Sequence, residues 1–585
     1  MSSPYTLFRV RQLLIEKFKA LGYLICPEEI RTEVPGVEAG IAIPVFRLAK
    51  ETGQNPKDLA VAIGPRLNLT DSLFAPPQAL NGYVNLKFLP GPFARSIFAD
   101  YLSTLDKYGS FPLGSGKTIV IDYSSPNIAK PFSVGHLRST VIGQALKNIL
   151  SYLGYRVIGD NHLGDWGTQF GKLLAAYELW GDETKLTQNP TLHLFDLYVR
   201  FHQTAKENPA LDVQAREWFR RLEQGDPQAR ARWQRFIDLS RQEFERIYRL
   251  LGITFDVTLG ESFYISGLEG VIDRAQKKGI ARREKPPQNK NLNDEEITGE
   301  EPVVLIPLDT MGIAVPLILQ KSDGTSLYAT REIATAEYRI KTWRPEKILY
   351  VVGNEQKFYF QQFNAALKLL GITTPCIHIA FGLIRLPEGK LSTRAGRVIL
   401  LEDLIKEAIE RAKHIVTTRD LPEEEKQEIA RKVGIGAIKY ADLSQNRCKD
   451  VVFDWDRLLA LDGDSAPYLQ YAYTRTRAIL RKAKAVSFSE ADGALLTTPE
   501  EQKLLLSIAR FPEAVFAAGE SYEPHRIANH LYALARNFAV FYDRIPVLGA
   551  KTPELSCARL ALVEMTGTVL KQGLALLGIE VMERM

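Results

Sequence analysis

The stretch SSPNIAKPFSVGHLRST, residues 124–140, concentrates groups able to handle a phosphate. It follows the apolar run KTIVID and precedes a helical pattern, so it lies where a buried strand hands over to a helix. Free backbone N–H groups and the positive end of the helix dipole favour an anion at such a junction. Gly135 permits close backbone approach, and His136 and Lys130 can donate to phosphoryl oxygens. His136 alone would read as an ordinary core histidine; its polar company points to a ligand site. A second concentration is LPEGKLSTRAG at 386–396, where Lys390, Ser392, Thr393 and Arg394 set two cations and two hydroxyls close together. Such a loop suits clamping a triphosphate while pyrophosphate leaves. A third, APYLQYAYTRTRAILRKAKA at 466–485, places Tyr468, Tyr471 and Tyr473 among Arg475, Arg477, Arg481, Lys482 and Lys484. Cations can track RNA phosphates while rings stack on unpaired bases. At helical spacing much of the tyrosine stripe belongs to a core, so the basic residues carry the RNA expectation.

These residues need elements to hold them. Ile119, Val120 and Ile121 predict a strand buried on both faces, as in parallel sheets. Ser139 or Thr140 is the expected cap of a helix whose apolar stripe runs Val141, Ile142, Ala145, Leu146, Ile149, Leu150, Leu153. Gly154 is its expected stop, and YRVIGD then extends: a βαβ unit. KILYVVGN, QKFYFQQFNAALKLLG and IHIAFGLIRL repeat strand, helix, strand after a mainly helical region at about 172–260. EKPPQNKNLNDEEITGEEP has almost no apolar content and reads as a surface loop. GYVNLKF, with Tyr83, Asn85 and Lys87 alternating with Val84 and Leu86, ends an N-terminal region, and a Gly/Ser/Pro linker puts a boundary near residue 112. From about residue 400 the pattern is helical to the end.

The fold class expected is multidomain α/β plus all-α. A split Rossmann-type catalytic domain, a doubly wound parallel sheet, spans 113–455 with helical insertions at about 172–300. An N-terminal α/β module covers 1–112 and a C-terminal α-helical domain 456–585. A chain of 585 residues is too long for one core. Its 74 basic and 69 acidic residues rule out a histone-like polycation but allow local basic faces. Cys26, Cys376, Cys448 and Cys557 form no C-x-x-C pair, which argues against a disulfide framework or cysteine zinc site and for a reducing compartment. The N-terminal MSSPYTLFRVRQLLIEKFKALGY is amphipathic, without the apolar stretch of a signal peptide, and no later segment is long and apolar enough for a membrane span. A cytoplasmic, membrane-free protein is expected.

SVGH resembles the HIGH motif, and KLSTR the KMSKS motif, of class I aminoacyl-tRNA synthetases. More narrowly, SSPNIAKPF…GHLRSTVIG, NHLGDWGTQFG (161–171), KSDGTSLYATRE (321–332), YVVGNEQ (350–356), LDGDSAPYLQYAYTR (461–475) and the C-terminal RLALVEMTGTVLKQGLALLGIEVMERM resemble arginyl-tRNA synthetases in the family's order. The resemblance implies an arginine–tRNA ligase with ATP as substrate, Mg²⁺ accompanying it, no protein-held metal and no permanent cofactor. Its partners would be tRNA(Arg) and L-arginine, and its state a monomer. It implies Asp122 and Glu332 on the guanidinium with Tyr328 beside them, since carboxylates suit a planar cation. Asn127 and Gln356 would hold the α-amino and α-carboxyl end. Gly135, His136, Lys390 and Ser392 would bind ATP; Lys130, Ser133, His136, Lys390 and Arg394 would act in catalysis; Arg475, Arg477 and Arg481 would meet the anticodon arm. The N-terminal module would touch the D-loop.

Three positions depart from the family pattern. Ser133 replaces the first histidine of HIGH, Glu332 the usual aspartate after YATR, and Arg394 the second lysine of KMSKS. They leave a second reading, a non-catalytic or repurposed paralog that binds tRNA or arginine. A third, a ligase arginylating another acceptor, sits poorly with a C-terminal module suited to reading an anticodon.

Overall fold

The structure, a computed structural model, describes residues 5–32, 39–69, 73–128, 130–285, 301–385, 399–416, 421–483 and 491–585. The chain divides into two compact units, residues 113–408 with 441–454, and residues 1–112 with 409–440 and 455–585. The two chain termini thus share one unit. Residues 409–440, expected within the 113–455 domain, group with them.

The first unit is built on five parallel strands in the order Cys376–His378, Lys347–Tyr350, Thr118–Asp122, Arg156–Asn161, Val257–Thr258. The chain starts in the centre, builds outward on one side and then returns to the other. Its direction of winding therefore reverses between Thr118–Asp122 and Lys347–Tyr350, the switch point at which doubly wound sheets bind ligands. Ile119, Val120 and Ile121 are fully buried, because a central parallel strand is covered on both faces. The register places Asp122 beside Tyr350 on one flank and beside Asp160 on the other.

The helix Val134–Tyr152 begins earlier than expected, capped at Ser133 rather than at Ser139 or Thr140. Those two hydroxyls are engaged inside it: Ser139 Oγ donates to the Val351 carbonyl at 2.7 Å and Thr140 Oγ1 to the His136 carbonyl at 2.7 Å. The expected strand IHIAFGLIRL is broken into Cys376–His378 and Ile384–Arg385, the second pairing with Val451–Val452.

The expected helical insertion holds from Thr168–Trp180 through Pro227–Leu250. It then gives way to the strand Val257–Thr258, the helix Leu268–Lys277 and an antiparallel sheet of Arg282–Glu284, Val303–Ile306 and Leu317–Gln320. Val303, Val304, Leu305 and Ile306 are all buried, a short apolar run that helical periodicity does not reveal. Most of the expected surface loop at 284–302 lies outside the described residues.

In the second unit the strands Gly40–Pro44, Tyr83–Lys87 and Gln78–Leu80 form an antiparallel sheet. Val84 and Leu86 are buried while Lys87 is exposed, as the alternation requires. The C-terminal part is helical, including Ala466–Ala483, Pro499–Ala509, Phe511–Ser521, His525–Arg544 and Pro553–Leu576. Thr498 and Glu501 cap Pro499–Ala509 reciprocally, and Glu501 also meets the buried Arg559 at 2.7 Å. Among the described residues no helix is long and apolar enough to cross a membrane.

Candidate active site

A cleft of about 1040 Å³ opens at the carboxyl ends of the central strands. It is lined by Asp122, Asn127, Gly135, His136, Tyr328, Glu332 and Gln356, which brings together seven residues drawn from three separated stretches of sequence. The backbone is forced into place directly after Asp122. Ser124 and Ser125 have φ of 72° and 46°, left-handed values that cost non-glycine residues energy and persist only where surroundings impose them. Here the Ser124 amide donates to Ser139 Oγ at 2.9 Å and the Ser125 amide to Asn161 Oδ1 at 3.1 Å. Asn127 can then lie against Gly164, where any Cβ would stand 1.9 Å from Asn127 Oδ1.

The floor is acidic. Asp122 and Asp160 lie side by side in register, and both meet Arg339: its Nη2 is 2.7 Å from Asp122 Oδ2 and 2.8 Å from Asp160 Oδ2. Ser125 Oγ donates to the other Asp122 oxygen at 2.7 Å. Arg339 is fully buried, its guanidinium 5.4 Å from the centre of the Tyr350 ring. Glu332 is buried and hydrogen-bonded by Tyr328, and Glu261 faces Arg331 at 3.0 Å. Two guanidiniums therefore face four acids. Burial, with Asp122 nearby, pushes the Glu332 carboxyl up to about 8, and burial raises Glu261 to about 7 and Asp160 to about 6.

Tyr328, Glu332, Thr335 and Arg339 fall on one face of the helix Tyr328–Trp343 at steps of four, three and four residues. That face carries two of the expected residues and one, Arg339, that sequence reading missed; the spacing was the available signal. Asp160, His162, Glu261 and Arg331 were also missed. Asp160 had the signal of ending a buried strand, whereas nothing local marked Glu261. Arg339→Met is expected to destabilise the unit by about 3–5 kcal/mol, because two buried carboxylates lose their shared cation. Urea unfolding checks this, and an unchanged midpoint would mean that the acids simply take up protons.

At the other end of the cleft His136 closes the first turn of the Val134–Tyr152 helix. The Ser133 amide donates to His136 Nδ1 at 3.1 Å, and Ser133 Oγ lies 3.2 Å from the same nitrogen. An amide can only donate, so Nδ1 accepts and the ring proton sits on Nε2. Burial lowers the ring to about 4, which keeps it neutral. His136 is thus a neutral donor stacked on Phe132, with ring centroids 5.2 Å apart. The helix start and this N–H suit an anionic phosphate.

Some expected site residues are placed differently. Ser133 does not line the cleft; it caps the helix and orients His136. Lys130, expected to donate to phosphoryl oxygens, lines an adjoining crevice with Gln169, Phe170 and Tyr198 instead, because the chain turns there before the helix begins. Lys390, Ser392 and Arg394 lie outside the described residues. On Ala466–Ala483, Arg477 pairs with Glu564 at 3.2 Å and Glu583 at 3.1 Å, and Arg481 lies 3.7 Å from Glu583, so acids of this same unit occupy two cations expected to meet RNA. Arg475 is held between the rings of Tyr471 and Tyr542, at 4.7 and 4.9 Å. Tyr473 is buried, as the core reading of the stripe required.

Comparison with known proteins gives two family matches. Residues 100–455 match "tRNA synthetases class I (R), catalytic domain", and residues 469–585 match "DALR anticodon binding domain". An arginine–tRNA ligase of Chloroflexus aggregans is 43% identical over 565 residues, covering 95% of each chain. One from Clostridium perfringens is 40% identical over 555 residues, covering 94% of this chain and 95% of the relative. The solved arginyl-tRNA synthetase of Thermus thermophilus superposes with a TM-score of 0.80 at 25% identity, covering 99% of this chain and all of that one.

Proposed function

The chain belongs to the class I arginyl-tRNA synthetases, and from that premise we propose that the acidic end of its cleft holds the arginine guanidinium while the helix end carrying His136 holds ATP. Its activity is arginine–tRNA ligation. The arginine carboxylate attacks the α-phosphorus of ATP, the bond to the β-phosphate oxygen breaks, and arginyl-adenylate and diphosphate form. A ribose hydroxyl of the terminal tRNA adenosine then takes the arginyl group and AMP leaves with the bonding pair. No covalent enzyme intermediate is involved, so the protein contributes position and electrostatics.

The observation that carries the assignment of the cleft is the acid buried in its wall: Asp122, Glu261 and Glu332 line it beside the guanidinium of Arg331. Glu332 and Asp122 take the substrate guanidinium, with Tyr328 at its side. Asn127 and Gln356 also line the cleft and hold the amino-acid head group. Mg²⁺ arrives as the counter-ion of ATP. Lys390, Ser392 and Arg394 serve the phosphates, a reading supported by their charges and hydroxyl. Arg475, displayed on two tyrosine rings, contacts the RNA from the C-terminal domain, and Arg477 and Arg481 join it by exchanging their acidic partners for phosphates. The N-terminal module touches the D-loop. The protein works as a monomer in the cytoplasm, a compartment that its four scattered cysteines, with no C-x-x-C pair, suit.

ATP–pyrophosphate exchange with each amino acid, with and without total tRNA, tests this directly. Arginine-dependent exchange that rises strongly with tRNA is expected. Exchange with another amino acid alone would overturn the substrate, and tight tRNA binding without any exchange would favour the inactive paralog.

A further inference from the structure

His162 follows the last residue of the Arg156–Asn161 strand and lines the same cleft, yet nothing in the reaction described above uses it. Its Nδ1 lies 3.1 Å from the Leu259 carbonyl oxygen. A carbonyl can only accept, so Nδ1 carries the proton and Nε2 presents a lone pair. The residue is 6% exposed, and Nε2 has no hydrogen-bond partner among the described residues. That lone pair stands 3.7 Å from Glu332 Oε1, too far for a hydrogen bond. The Tyr264 ring, 5.5 Å away between centroids, packs beside the imidazole and limits its turning. Burial lowers the ring to about 4, against the pull of Asp122, so it stays neutral next to the acids.

We propose that His162 is a specificity-determining residue of the arginine subsite, its Nε2 a fixed neutral acceptor for one guanidinium N–H. This rests on the reading of the cleft as an arginine site. A buried acceptor left without a donor is costly, and His162 Nε2 and the Glu332 carboxyl, 3.7 Å apart with no hydrogen bond between them, leave room for a donor that serves both. A guanidinium has five N–H groups on one rigid plane and can reach His162 and Glu332 together; a lysine ammonium has a single nitrogen. A neutral acceptor therefore selects for the number and plane of the N–H groups, while the carboxylates select for charge.

Three variants of the full chain, His162→Leu, His162→Asn and His162→Gln, separate this role from packing. Gln carries an amide oxygen out toward the Nε2 position, Leu removes both polar atoms, and Asn keeps only a short amide near Nδ1. In tRNA-stimulated exchange, Leu and Asn are expected to raise the arginine KM at least about ten-fold and to narrow the preference for arginine over lysine, with the ATP KM within about two-fold. Gln should stay within about three-fold of the unmodified chain. Thermal melting identifies a variant that fails to fold, and the Asn and Gln pair then decides alone. An unchanged arginine KM in Asn, or equal increases in Asn and Gln, would overturn the role. Absence of arginine-dependent exchange in the unmodified chain would instead sink the arginine reading itself, and this role with it.

Discussion

Glu332→Gln is expected to raise the arginine KM by tens-fold or more while leaving the ATP KM nearly unchanged. Glu332 is buried, lines the cleft and, among the described residues, is hydrogen-bonded by Tyr328 and touches no guanidinium or ammonium, so a bound guanidinium would supply a cationic partner in contact. Truncating one side of a buried, hydrogen-bonded charge pair costs about 2–5 kcal/mol. Asp122 compensates only in part, since Arg339 already engages one of its oxygens and Ser125 the other. The pH dependence gives the same test a sign. With its carboxyl pushed up to about 8, Glu332 is neutral in the empty cleft at pH 7. A guanidinium stays charged throughout this range and favours the ionised acid, so binding must expel a proton at lower pH. The arginine KM should fall as pH rises from 6 to 8 and level off above, and this slope should vanish in Glu332→Gln. A slope that survives the substitution would assign the titration to Glu261, raised to about 7 beside Arg331, rather than to Glu332.

His136→Ala should lower kcat by about a hundred- to a thousand-fold at saturating ATP and arginine, the usual consequence of losing one donor aimed at developing negative charge. Its tautomer is set by the Ser133 amide, and its ring is locked on Phe132, so the Nε2 proton is presented without rearrangement. Ser133→His is expected to change kcat by much less. Position 133 contributes its backbone amide to His136, and that amide is present whatever the side chain. The departure from HIGH therefore falls where the backbone acts. A hundred-fold gain in Ser133→His would show that the natural site is impaired. An unchanged kcat in His136→Ala would move the phosphate contact elsewhere, Lys390 and Arg394 being the groups to replace next.

The buried strand, the polar strand-to-helix junction, the family motifs and the helical C-terminal region could all be read from residue order. Each depends on neighbours a few positions apart: three β-branched residues in a row, polar groups clustered before an apolar stripe, tyrosines at helical spacing. Tyr328 and Glu332 were reachable for the same reason, because KSDGTSLYATRE carries them, and Asp122 because it ends the buried run just before SSPNIAKPF. Where the Val134–Tyr152 helix begins was not, since Ser139 and Thr140 are equally good caps until Val351, just past the strand Lys347–Tyr350 and 212 residues on, takes the Ser139 hydroxyl.

Residue order alone determined the chemistry the chain can reach: a class I synthetase cleft, a cationic amino acid, a nucleotide. What each acid does in that cleft was decided only in three dimensions. Parallel register sets Asp160 against Asp122, and the Tyr328–Trp343 helix lowers Arg339 between them, which takes Asp122 out of first place and leaves Glu332 in need of a partner. Charge strength depends on burial and on the nearest opposite charge, and both are properties of residues far apart in sequence. Arg477 and Arg481 follow the same rule in the other direction, for the helix that displays them also lies within reach of Glu564 and Glu583.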